Sequence, residues 1–141
     1  SRSFFTGLID MSRIDWVQAL GWREEHLEDL RYTGYSYIRQ GKYEIALPFF
    51  EALAILAPNN TYDSQTLGAL YLQLQDPKKA IQCLDKALKT EGDHGPTLLN
   101  LTKAFLMLGK KEEALKLAQI LQNEPMPSIA GVAKALLLAY S

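Results

Sequence analysis

The chain has 141 residues, 48% of them apolar, which suffices for one domain with a sizeable core and excludes a disordered chain. Its formal net charge is −1, with no basic block longer than Lys78-Lys79 or Lys110-Lys111, so the electrostatic footprint of a nucleic-acid binder is absent. Cys83 stands alone, which excludes an internal disulfide framework, and no apolar run approaches the ~18 to 20 residues that span a bilayer.

In chain order, the first eleven residues carry no period, and Met11 is a candidate native start. Ser12 is a good N-cap for a short helix carrying Ile14, Trp16, Val17 and Leu20 and ending at Gly21. No charged region, apolar core and cleavage site precede it, so the chain reads as soluble and cytoplasmic. Helices are then expected near 23–40 and 43–57. A third opens at Asn60, with Asp63 reciprocating the cap, and runs to about Leu74. Asp76 caps the fourth with Pro77 in its first turn, a pairing that accounts for the missing glycine at Gln75. The fifth runs from Pro96 to Gly109 and the sixth from Lys111 to Gln122. Pro125 and Pro127 break the chain, and Ser128 caps a last helix to Tyr140. The divisions are an N-terminal segment over 1–22, three repeats over 23–127 and a capping helix over 128–141.

The organising feature is a period of 34 residues. It aligns Gly34, Gly68 and Thr102; Tyr37, Tyr71 and Phe105; Gly41, Gln75 and Gly109; Ala46, Ala80 and Ala114; Phe50, Leu84 and Ala118. Each column keeps a size class, as a repeated packing unit requires. Small residues on both helices let two backbones approach, an aromatic fills the space beside them, and Pro58 stops the second helix of the first unit.

Local chemistry is sparse. His26 sits in the acidic run Glu24, Glu25, Glu28 and Asp29, and neither it nor His94 keeps metal-ligand or nucleophile spacing with Cys83 or a carboxylate. Cys83 beside Leu84 reads as a packed thiol. The triplets Asn59-Asn60-Thr61 and Asn100-Leu101-Thr102 read as chance glycosylation matches. No enzyme, cofactor or metal is expected.

Leu30, Gly34, Tyr37, Gly41, Tyr43, Ala46, Phe50 and Pro58 resemble the tetratricopeptide repeat pattern. The second unit departs from it at Gln75, Pro77 and Gly92, and the third at Thr102 and Ala118. The resemblance implies an all-α fold of three helix-turn-helix repeats in a right-handed superhelix, closed by an N-terminal helix and a C-terminal capping helix. The first helix of each unit would bury Leu30, Gly34, Tyr37; Leu67, Gly68, Tyr71; and Leu98, Leu101, Phe105. The stripe beside this core would line a concave peptide-binding groove: Arg31, Tyr35, Ile38 and Arg39; Tyr62, Gln65, Ala69, Leu72 and Gln73; Leu99, Lys103, Leu106 and Met107. The repeat branch that clamps an acidic C-terminus is disfavoured: Arg31 could serve it, but Tyr35, Thr66 and Pro96 stand where its polar residues would be needed.

The wording Gly41-Lys42-Tyr43-Glu44, Ala46, Phe50, Leu53, then Asp63-Ser64, Leu67-Gly68-Ala69 and Ala80-Ile81 resembles the LcrH/SycD class of bacterial type III secretion chaperones. That resemblance implies a holding function without catalysis, for a secreted apolar or amphipathic client of the translocator or needle class. A small co-chaperone is a further partner of the needle branch. Homodimerisation through residues 4–22 is suggested by Phe4, Phe5, Trp16 and Trp22. The alternative is an adaptor that joins folded proteins through its convex face and terminal helices; neither reading involves nucleic acid or membrane insertion.

Overall fold

The computed structural model describes residues 24–141, so the expected N-terminal helix and the dimer contact of residues 4–22 lie outside the described residues. Among the described residues there are seven helices and no strand: α1 Glu24–Arg39, α2 Tyr43–Leu56, α3 Thr61–Gln73, α4 Pro77–Leu88, α5 Gly95–Met107, α6 Lys111–Leu121 and α7 Pro127–Tyr140. They pack as the pairs α1/α2, α3/α4 and α5/α6, each pair resting on the next and α7 on the last. The result is an all-α superhelix.

The aligned columns explain the pairing. Ala46, Ala80, Ala114, Phe50, Leu84 and Ala118 are all fully buried. Where a glycine faces them the fit is closed: a Cβ at Gly34 would stand 2.6 Å from Phe50 Cε2, and one at Gly68 2.7 Å from Leu84 Cδ2. Thr102, in the same column, is buried and donates its hydroxyl to the Leu98 carbonyl at 2.8 Å.

The three turns inside the pairs are built alike. The amide of Lys42 donates to the Tyr37 carbonyl at 2.9 Å, Asp76 to Tyr71 at 2.8 Å and Lys110 to Phe105 at 2.8 Å. These are the six-to-one bonds of a Schellman turn, with Gly41, Gln75 and Gly109 as the left-handed residue at φ +74°, +65° and +74°. The aromatic column thus also supplies the carbonyl that closes each turn. The Asp76 cap does form, Oδ1 accepting from the Lys79 amide at 3.2 Å. It does not spare the preceding residue the left-handed backbone, so the expected account of the missing glycine at Gln75 is corrected.

Two other local expectations change. Asn60 caps α3 by accepting from the Asp63 amide at 2.9 Å, but the Asp63 carboxylate turns away to Arg31 instead of reciprocating. The last helix starts at Pro127, with Met126 in the N-cap position and no side-chain cap, so Ser128 lies within it. Helix α7 lays Ile129 and Ala133 against Leu99, Ala118 and Leu121 and closes the third pair. Cys83 is half-buried against the first core cluster, and burial pushes its thiol pKa up, which suits packing over reactivity.

Candidate peptide-binding groove

The first helices of the pairs, α1, α3 and α5, share an inner face with a cavity of about 350 Å³. Tyr35 and Ile38 of α1 form one wall, Gln65, Ala69 and Gln73 of α3 the floor, and Pro96, Thr97 and Asn100 of α5 the far wall. Tyr43, Thr66, Leu70 and His94 complete the lining. Tyr35 is held from behind by an edge-on contact with Phe50, ring centroids 5.0 Å apart, and from the side by a 2.9 Å hydrogen bond between its hydroxyl and that of Thr66.

The polar groups at the rim are engaged with one another. Gln65 Nε2 donates to Glu91 Oε2 at 3.1 Å and lies 3.3 Å from His94 Nδ1, which is 2.7 Å from Thr97 Oγ1. These bonds hold the walls in place, and Tyr35, Ile38 and Ala69 present apolar surface to an incoming segment beside the amides of Gln73 and Asn100. Among the described residues, no group of three or more His, Cys, Asp or Glu is placed to hold a metal ion. No described helix is long and apolar enough to cross a membrane.

Of the residues expected in the groove, the structure brings Tyr35, Ile38, Gln65, Ala69 and Gln73 together. Arg31 is drawn into a buried ion pair with Asp63. Arg39 lies over the Tyr32 ring at 6.0 Å, and Tyr62 points to solvent. Leu72 packs with Ala80, Leu84 and Leu101 between the second and third pairs. Leu99 is buried because α7 lies over that side of α5. Lys103, Leu106 and Met107 do not line the cavity.

Sequence reasoning missed His94, Thr97 and Asn100 as wall residues, and treated Thr66 and Pro96 only as misfits to an acidic-peptide clamp. A usable signal was present: Thr66 and Asn100 occupy the same place in consecutive repeats, each three positions before an expected stripe residue, Ala69 and Lys103.

A protein-family model described as anaphase-promoting complex, cyclosome, subunit 3, matches residues 39–119. The chain belongs to this family. The matched residues run from the end of α1 through most of α6, so they span the repeated pairs that build the groove. No curated protein sequence matches at a significant level.

Solved structures share the fold. PcrH of Pseudomonas aeruginosa, in complex with the chaperone-binding region of PopD, aligns at TM-score 0.75 and 23% identity over 85% of this chain and 94% of that one. The Yersinia enterocolitica type III secretion chaperone SycD, in complex with a peptide of the translocator YopD, aligns at 0.75 and 20% over 84% and 94%. A type III secretion complex from Aeromonas hydrophila aligns at 0.78 and 19% over 99% and 95%. The fold is therefore the one these structures share, a tetratricopeptide-type array of helix pairs.

Proposed function

We propose that this chain is a non-catalytic chaperone of a bacterial type III secretion system, acting in the cytoplasm. It holds an apolar segment of a secreted translocator or needle subunit in the concave groove and keeps that client soluble until export. The observation that carries the reading is the cavity between α1, α3 and α5, where Gln65, His94 and Thr97 are bonded to one another while Tyr35, Ile38 and Ala69 are left partly exposed among the described residues. The likeness to PcrH, solved with the chaperone-binding region of PopD, and to SycD, solved with a peptide of the translocator YopD, supports the same reading. Burying one large apolar side chain contributes on the order of 1.5 to 3 kcal/mol, so a few anchors suffice for useful affinity after ordering costs.

The test is co-purification from the native cell with mass spectrometry, followed by expression of the recovered subunit alone and with this chain. The client should aggregate alone and stay soluble in company. Ala69→Glu, which places a charge on the cavity floor, should weaken binding by more than tenfold with helicity unchanged. Full binding by that variant would place the site elsewhere.

The second reading, an adaptor between folded proteins, is favoured by apolar side chains exposed away from the cavity: Ile45 and Ile55 on α2, and Leu138 on α7, which is 84% exposed. Partners that remain soluble without this chain would select it.

A further inference from the structure

A second cavity, of about 380 Å³, lies where the loop after α4 meets the loop between α6 and α7. It shares His94 and Pro96 with the first cavity, so one surface runs without interruption from α3 past α5 to the start of α7. Its chemistry is different. Glu91, Asp93 and Glu124 stand around it, while Met126 and Ile129 give it an apolar side. Gly95 makes room for Glu124: a Cβ there would collide with Glu124 Oε1 and press on Ile129 Cδ1 at 3.0 Å.

Among the described residues, none of these three carboxylates is ion-paired, and they do not converge as a metal-binding set. The Glu91 carboxylate accepts from the neutral side-chain amide of Gln65, which leaves its charge uncompensated. An apolar wall beside unneutralised carboxylates suits a side chain with a hydrocarbon stem and a cationic head.

We infer that the second cavity takes a lysine or arginine of the same segment whose apolar anchor occupies the first, an inference that rests on the groove reading above. Packed helices stand about 8 to 10 Å apart, and an extended chain advances about 3.3 Å per residue. One step between adjacent sites is thus about three residues. The bound segment has an apolar anchor with a basic residue three positions away, its stem on Met126 and Ile129 and its head among Glu91, Asp93 and Glu124. The basic residue sets register and direction in a groove whose first cavity reads only shape and apolarity.

The test is fluorescence anisotropy on the full chain with labelled ten-residue peptides. Each carries one leucine on a serine and alanine background, with lysine, glutamine or glutamate at two to five positions to either side. Lysine three positions from leucine, on one side, should bind about three- to fivefold tighter than glutamine at low ionic strength. The advantage should disappear with salt and in the Asp93→Asn/Glu124→Gln double variant. Equal binding of lysine and glutamine peptides at every position, with leucine still required, would overturn this inference and leave the groove reading standing. A lysine preference untouched by the double variant would also overturn it. Peptide binding indifferent to replacing leucine by alanine would overturn both.

Discussion

Arg31 and Asp63 meet as a two-pronged pair across the first two repeats, Nε to Oδ1 and Nη2 to Oδ2, both at 2.9 Å. Their side chains are 11% and 1% exposed, and the hydrogen bond to Asp63 is the largest cause holding the guanidinium pKa above the usual arginine range. Breaking such a pair strands one charge where water cannot reach it. Arg31 keeps Glu28 at 2.6 Å when Asp63 is removed, whereas Arg31→Met leaves Asp63, 1% exposed, without its ion-pair partner. Arg31→Met should therefore cost about 3 kcal/mol in urea unfolding, and the Arg31→Met/Asp63→Leu double variant should regain most of that. Additive losses in the cycle would show that the two side chains are not coupled.

Gly68 faces Leu84 with no room for a methyl group, its would-be Cβ 2.7 Å from Cδ2 and 2.8 Å from Cγ. Gly68→Ala should lose about 1 to 3 kcal/mol through overpacking, in spite of alanine's better helix propensity. Leu84→Ala alone should cost about 2 to 5 kcal/mol as a buried cavity, and the double variant should lose less than the sum of the two single changes. A stabilised Gly68→Ala variant would mean that the helix pair can spread at no cost.

Gln75 holds the left-handed backbone that glycine holds at Gly41 and Gly109. A side chain in that conformation costs roughly 1 to 2 kcal/mol, and glycine's greater freedom in the unfolded chain returns about half of it. Gln75→Gly should raise stability by about 0.5 to 1 kcal/mol, seen as a higher melting temperature. A lower one would show that the side chain contributes more than its backbone strain costs.

Tyr71 is half-buried, and its hydroxyl donates to Glu51 Oε2 at 2.6 Å. Burial first, and the bond to Glu51 second, push its pKa well above the usual phenol range. A pKa raised in the folded state gives stability that is complete below the unfolded value, about 10, and is lost as pH climbs toward the folded one. Stability should fall above pH 10, and Tyr71→Phe should flatten that alkaline limb. An unchanged pH profile would assign the loss to other groups.

What was legible in the sequence is what repeats. Ala46, Ala80 and Ala114 recur at a fixed spacing with a fixed size, and the helix pairs follow from that alone. The groove was legible where its residues lie on the same stripe, as Tyr35 and Ala69 do. It was not legible where a distant helix intervenes: Leu99 has the right register, but α7 covers it, and nothing local to Leu99 announces that. Arg31 was read as a free cation because its partner lies 32 residues away. His94 seemed isolated for the same reason, since Gln65 reaches it across 29 residues.

The helices rest mainly on their chain neighbours, with α3 to α5 and α5 to α7 the longer reaches. Such a stack opens piecewise, each pair with its own free energy, and its ends exchange amide hydrogens sooner than its middle. A segment lying across α1, α3 and α5 ties together pairs that otherwise respond only to the next in line. Loading then does more than add its binding free energy to the folded state. On the groove reading proposed above, it also makes unfolding of the array more cooperative, because opening any one of these pairs then gives up the bound contacts of the others as well.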